Sequence, residues 1–350
     1  MAHKQKKVCV CGHFAFGKDL LNGQTVKTKI VSTELCRVYG EDEVIKIDTH
    51  GGPFALFAVL LRLFAVMFRT KNVVILPAHN GVRVIAPYLA ILNLFFRRKL
   101  HYAVIGGWLP GFLSGRRVLT ACLKRFSGIY VETQTLKREL EKAGFENVYV
   151  MTNCKELPVL KKEELDKSPC EPYRLCTFSR VMEQKGIEDA VNAVRAVNEK
   201  LCRDVFTLDI YGPVDTRQIE WFEKLRVSFP DSVKYKGTVD FDKSVETVSA
   251  YFALVFPTRF YTEGIPGTII DAYASGVPVI SSMWESFGDM VDNGVTGIGY
   301  DFGNYDKLTE LLLTVAENPS LINSKREACL EKAKEFSPEK AVSVLTQGLA

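Results

Sequence analysis

The residues best suited to chemistry lie between Phe256 and Ile280, in the run FPTRFYTEGIPGTIIDAYASGVPVI. Pro266 fits a first helical position and Gly276 the residue past a helix end, so the spacing predicts a short helix over about 266–275 with a strand after it. Gly264 and Ile265 lead into that helix, and the unpaired backbone N–H groups near Gly267 and Thr268 suit a phosphate. Glu263 stands in the loop before the helix, and Asp271 falls about one turn inside it. Two carboxylates so placed can grip hydroxyls on both sides of a bound phosphate, one on a sugar and one on a ribose. An acid pair at a helix start also serves capping and dipole compensation, and the spacing alone leaves both roles open.

A second constellation is Phe178-Ser179-Arg180 followed by Glu183-Gln184-Lys185-Gly186. Arg180 and Lys185 leave the end of one predicted strand together, where two cations can hold a diphosphate as charge develops on it. Solvated surface charges would have the same spacing. A third is the glycine-rich turn after Val8–Cys11, with Gly12, Gly17 and then Leu21-Asn22-Gly23-Gln24-Thr25. Such a turn offers backbone N–H groups to a phosphate or a sugar. It opens a helix expected to bury Val26, Ile30, Val31, Leu35 and Val38. The pattern is neither GxGxxG nor a phosphate loop ending in GK[ST], which argues against a dehydrogenase and an NTPase.

Short β-rich runs alternate with helical patterns along nearly the whole chain, which predicts parallel sheets with crossover helices. The first series is Val8–Cys11, Glu43–Ile47, Val73–Leu76, His101–Ile105, Gly128–Val131 and Val148–Met151. After a linker over 156–173 the second is Arg174–Phe178, Phe206–Tyr211, Val233–Tyr235, Ala253–Phe256, Val277–Ser281 and Gly297–Tyr300. The expected organisation is therefore an α/β fold of two Rossmann-like domains, 1–155 and 174–335, facing across a cleft. A terminal helix over 336–350, with Ser337 as cap and Pro338 first, is expected to pack back toward the first domain. Ligands in such sheets sit beyond the carboxyl ends of the strands, which is where all three constellations fall.

The composition, 47% hydrophobic and 25% charged, excludes wholesale disorder and collagen-like structure. No apolar stretch reaches the roughly 18–20 residues that cross a bilayer, and the basic start lacks the apolar run of about 7–15 that a signal peptide needs. Nine scattered cysteines without paired spacing read as reduced core residues of a cytoplasmic protein. Residues 1–155 carry 23 Lys+Arg against 10 Asp+Glu, whereas the remainder carries 22 against 31. The strongly cationic half points to an anionic partner. Phe54–Lys71, with Arg62, Arg69 and Lys71, and Ile91–Lys99, with Arg97, Arg98 and Lys99, join apolar residues to basic ones, as segments seated at an anionic membrane do. Two core-facing helices with solvated ends are the alternative. No nucleic-acid motif is present, so nucleic acid is not expected as a partner.

The run from Phe256 through Ile280 resembles the signature of glycosyltransferase family 4. Arg180 and Lys185 match that family's diphosphate-gripping pair, Gly212-Pro213 its next loop, and Gly288-Asp289-Met290-Val291-Asp292-Asn293-Gly294 the loop beyond the donor. The resemblance is dense over about 174–300 and looser over 1–155. It implies the GT-B architecture and a retaining glycosyltransferase, with a nucleotide-diphosphate sugar as substrate and no cofactor or metal. UDP is favoured as the nucleotide, and a glycan or lipid-linked acceptor in cell-surface polysaccharide synthesis is implied. Glu263 would touch the transferred sugar, and Asp271 the ribose. Arg180 and Lys185 would hold the phosphates. Gly17, Asn22, Gly23, Gly212, Gly264, Ile265, Pro266, Gly267 and Thr268 would line the donor. Asp271 stands where the family usually has Glu. Where many members carry a first-domain histidine, this chain has Val104-Ile105-Gly106-Gly107-Trp108, leaving His50 and His79 as nearby candidates. The expected location is the cytoplasm, peripherally at the inner face of the membrane. A sugar-nucleotide epimerase and a non-catalytic binding subunit of the same fold are the rivals.

Overall fold

A computed structural model describes residues 5–18, 23–165 and 169–350. The chain divides into two compact units, 1–155 with 337–350, and 156–336. In the first unit the elements run β1 (Lys6–Gly12), α1 (Gly23–Tyr39), β2 (Val44–Asp48), α2 (Gly52–Arg69), β3 (Thr70–Ile75), α3 (His79–Phe96) and β4 (Lys99–Ala103), then α4 (Leu109–Leu113), α5 (Arg117–Leu123), β5 (Gly128–Val131), α6 (Gln134–Lys142) and β6 (Val148–Val150). The strands form one parallel sheet in the order β2-β1-β3-β4-β5-β6.

Period-two alternation assigns its side chains to two layers. Cys9, Cys11, Val73, Ile75, Tyr102, Ile129 and Val131 pack under α2, α3, α5 and α6. Val8, Val10, Val74, Ala103 and Tyr130 pack on the other side with α1 and the last helix of the chain. Both sides of these strands are buried, which is why they read as continuous apolar runs rather than alternating ones.

The second unit repeats the plan with β7 (Tyr173–Phe178), α7 (Ile187–Leu201), β8 (Phe206–Tyr211), α8 (Ile219–Val227), β9 (Val233–Gly237), α9 (Ser244–Ser249), β10 (Ala253–Phe256), α10 (Gly267–Ala274) and β11 (Val279–Met283). It continues through α11 (Phe287–Met290), β12 (Gly297–Asp301), α12 (Asp306–Glu317), α13 (Ser320–Asn323) and α14 (Arg326–Ala333). Its parallel sheet has the order β12-β11-β10-β7-β8-β9. The helix α15 (Pro338–Leu349) then returns to the first unit, capped by Ser337, whose side chain accepts from the Lys340 amide at 3.3 Å.

Three details differ from the sequence expectations. α1 buries Thr25, Lys27, Thr28, Val31, Ser32, Leu35 and Cys36, while Val38 is 49% exposed, so the inward side is a polar-apolar mixture that includes Lys27 rather than the simple apolar stripe. The segment read as a linker packs on the second unit. Leu157 and Leu160 join its core, Leu160 N–H donates to the Ala274 carbonyl at 2.9 Å, and Leu165 is buried. Cys170 and Cys202 are exposed, so the cysteines are free but not all in the core. Among the described residues no helix is long and apolar enough to cross a membrane.

Candidate functional site

In the second unit the loops that follow β7, β8 and β10 press backbone against backbone. Gly186 has φ 69°, and a Cβ placed there would lie 1.9 Å from the Pro257 carbonyl oxygen. Gly212 has φ 126°, and its Cβ would lie 1.9 Å from the Ser179 carbonyl oxygen. Only glycine meets both demands at these two points. Gly186→Ala is accordingly expected to cost about 2–3 kcal/mol, from a left-handed backbone and a displaced loop. A urea titration that gives an unchanged midpoint would contradict this.

The close approach sets Lys185 against Glu263. Lys185 Nζ donates to Oε1 at 2.9 Å and to Oε2 at 2.8 Å, with the two side chains 15% and 18% exposed. The ammonium also lies 5.4 Å from the Phe256 ring centroid and 5.3 Å from that of Phe260. Partial desolvation between two rings strengthens both the cation–π contact and the ion pair. Thr258 Oγ1 donates to Glu263 Oε2 at 3.2 Å, so a hydroxyl and an ammonium fix the carboxylate.

Arg180 is the loosely held cation of the group, half exposed with Nη1 3.6 Å from Asp215 Oδ2. Asp215 itself is buried and committed to Arg217, whose Nε and backbone N–H both donate to Oδ1 at 3.0 Å. Those hydrogen bonds, with the nearby charges of Arg217 and Arg180, outweigh burial and hold its carboxyl down to about 2. Asp215, so held, anchors one edge of the loop, with Arg180 as its more distant and more exposed partner.

α10 starts where Pro266, in an extended conformation with φ −69° and ψ 123°, hands over to Gly267. Gly264 and Ile265 before it are buried. Thr268 Oγ1 is buried with no hydrogen-bond partner, an orphaned hydroxyl at a helix start. Asp271 is 1% exposed, and its Oδ1 accepts from Ser244 Oγ at 2.9 Å. The second unit thus unites Arg180, Lys185, Gly212, Glu263 and the start of α10 around three adjoining loops. The Asp271 carboxylate is set deeper, among core residues.

The remaining sequence candidates belong to the first unit. Gly17 forms an exposed turn at φ 75° and Gly23 opens α1, whereas Asn22 lies outside the described residues. A cavity of about 500 Å³ is lined by His13, Gln24, Thr49, Pro77, His79 and Asn80. His50 Nδ1 is 3.0 Å from His13 Nε2, His13 Nδ1 is 2.7 Å from Thr25 Oγ1, and Lys18 Nζ is 3.0 Å from His50 Nε2. An ammonium only donates, so Lys18 makes His50 Nε2 an acceptor, and the proton direction then runs from His50 to His13 and on to Thr25. Burial, and then the neighbouring His50, lower the His13 pKa. His79 stacks on Trp108 with ring centroids 3.8 Å apart, and burial followed by Arg116 lowers its pKa.

Sequence reasoning missed His13, Asp215, Arg217 and Thr258. Three of them had a legible signal: His13 directly follows Gly12 at the end of a strand, and Asp215-Thr216-Arg217 has the spacing of an Asx turn. Among the described residues no group of three or more His, Cys, Asp or Glu side chains could hold a metal ion.

HepE from Anabaena, solved in complex with UDP, superposes with a TM-score of 0.75 at 15% identity, covering 98% of this chain and 99% of that one. Two Rossmann-like units with these strand orders make the fold GT-B, the architecture of many sugar transferases. Residues 172–318, within the second unit, match the family model described as Glycosyl transferases group 1. An uncharacterized 41.2 kDa protein in the cps region of Klebsiella pneumoniae is 25% identical over 191 residues, 53% of this chain and 48% of that one. The amylovoran biosynthesis glycosyltransferase AmsK of Erwinia amylovora is 25% identical over 155 residues, 42% of this chain and 37% of its own. The chain thus spans about half the length, or less, of these curated relatives.

Proposed function

We propose that the protein is a retaining glycosyltransferase that moves a sugar from a UDP-sugar to a glycan or lipid-linked acceptor, in cell-surface polysaccharide synthesis at the cytoplasmic side of a membrane. The observation that carries this is the Lys185–Glu263 pair beside the start of α10, inside the region matched by the family model. HepE, solved also with UDP-glucose, and AmsK, named for amylovoran biosynthesis, supply the choice of nucleotide and pathway class.

Arg180, Lys185 and the amides of Gly267 and Thr268 receive the diphosphate, and the Thr268 hydroxyl gains the partner it lacks. Glu263 accepts from a hydroxyl of the transferred sugar. Asp271, its rotamer fixed by Ser244, takes the ribose end. The bond between the anomeric carbon and the β-phosphate oxygen breaks, and the electron pair leaves with UDP. An acceptor hydroxyl attacks from the same side, and its proton passes to the departing phosphate oxygen. The products are the glycosylated acceptor and UDP, and two cations with a helix start offset the leaving charge without calling for a metal.

Calorimetry and thermal shift with UDP, GDP, ADP and their sugars test this directly. UDP at about 100 times its Kd is expected to stabilise the protein by about 2.7 kcal/mol, with GDP and ADP doing much less. Lys185→Met is expected to weaken UDP by at least about tenfold, since it removes a charge-assisted contact to phosphate. Absence of binding by any sugar nucleotide would sink the assignment.

A further inference from the structure

The cationic half of the chain has a surface that none of the chemistry above uses. From Thr49 through Val131, 83 residues pass without one Asp or Glu, and the same stretch holds 11 Lys and Arg. α2 and α3, which pack against one another, both lie within it. Their inner sides join the core through Val59, Leu63, Val66 and Met67 on α2 and Val82, Ile85 and Leu89 on α3. Their outer sides should be polar in a protein bathed only in water. Instead α2 exposes Phe57, Leu61, Phe64 and Phe68 at spacings of four, three and four, each between 43% and 67% exposed. α3 exposes Ile91 at 60% and Phe95 at 82%. The two rows are continuous, because Phe96 of α3 stands edge-on to Phe64 and Phe68 at 6.0 and 4.6 Å between ring centroids. Arg62, Arg69, Lys71, Arg83 and Arg97, all exposed, border the apolar area.

We infer that this α2/α3 face seats in the surface of an anionic lipid bilayer, aromatic rings in the acyl boundary and guanidinium groups among the headgroups. Contiguous exposed apolar area of this kind marks an interaction site. A second copy of the chain fits poorly, because a twofold contact would set this all-cationic border against itself. A lipid surface matches both halves of the pattern, with apolar depth for phenylalanines and negative charge for the rim. The inference rests on the transfer scheme only for its purpose, which is to hold the enzyme where a lipid-linked acceptor is found.

Flotation with vesicles of phosphatidylcholine and phosphatidylglycerol, set against vesicles of phosphatidylcholine alone, tests it. The full chain is expected to float with the anionic vesicles and to be released by high salt. Leu61→Glu with Phe95→Glu, both at exposed positions, is expected to abolish flotation while leaving the melting midpoint in place. Arg62→Gln, Arg69→Gln and Arg97→Gln together should lower the partition coefficient about 100-fold, at roughly fivefold per cation. Equal flotation with both vesicle types, or none with either, overturns the inference. So does a dimer in free solution that the Glu variants dissociate. UDP calorimetry on the same samples separates the two questions, since a variant that no longer floats should still bind UDP as before.

Discussion

Replacing Glu263 by alanine is expected to lower kcat for sugar transfer by about 10²–10³-fold, the usual consequence of removing one preorganised electrostatic contact to a transition state. Two donors of different kinds meet at the Glu263 carboxylate. The carboxylate holds the Lys185 ammonium at 2.8–2.9 Å and takes the Thr258 hydroxyl at 3.2 Å. The substitution removes the group assigned to the sugar and also releases Lys185 from its resting position. The fold should survive. With both side chains 15–18% exposed, the pair is only partly desolvated, and its loss is expected to cost about 1–2 kcal/mol, between the values for surface and buried pairs. Initial rates with UDP-sugar and acceptor, together with a thermal melt, check both halves. Unchanged turnover in a folded variant would remove Glu263 from the mechanism. A variant that fails to fold is distinguished by Glu263→Gln, which keeps the shape and a hydrogen-bond acceptor, and should lose rate with little stability.

The second large effect is expected far from any substrate. Lys27 and Glu132 form an ion pair at 2.7 Å in the first unit, with side chains 2% and 3% exposed. Two charges removed from water are tolerable only together. Glu132→Gln leaves an ammonium in the core without its counter-charge, at an expected cost of about 3–5 kcal/mol. Lys27→Met with Glu132→Leu removes both charges at similar volume and should recover most of that loss. Chemical denaturation of the single and double variants measures the difference. A single variant as stable as the parent would mean that the pair contributes nothing beyond packing.

All twelve strands were legible in the sequence because each is a short β-rich run set between helical patterns, and two-sided burial keeps such runs apolar. Lys27 was not legible. A lysine beside valines on a helix counts as surface until its partner, 105 residues away, is known to lie beneath it. Shorter but still long separations in sequence hid His13–His50 and Arg180–Asp215, whose partners sit in loops that follow different strands. The packing of the segment read as a linker was hidden for another reason. Its leucines, Leu157, Leu160 and Leu165, are too widely and irregularly spaced to show helical or strand periodicity, yet each packs on a surface that α10 and α14 have already built. Glu263 and Lys185 lie 78 residues apart and could be paired beforehand only through a family pattern. Spacing alone named them as two unrelated charges.

The return of α15 to the first unit bears on the order in which the chain acquires its structure. Sequence order places the whole second unit between the first sheet and the helix that covers it. On the ribosome, residues 156–336 are therefore complete before Val342, Leu345 and Leu349 emerge to close over Val8, Val10 and Tyr130. Until then the amino-terminal unit waits with this apolar layer covered by α1 but not yet by α15, a nascent intermediate whose lifetime is set by elongation through residues 156–336.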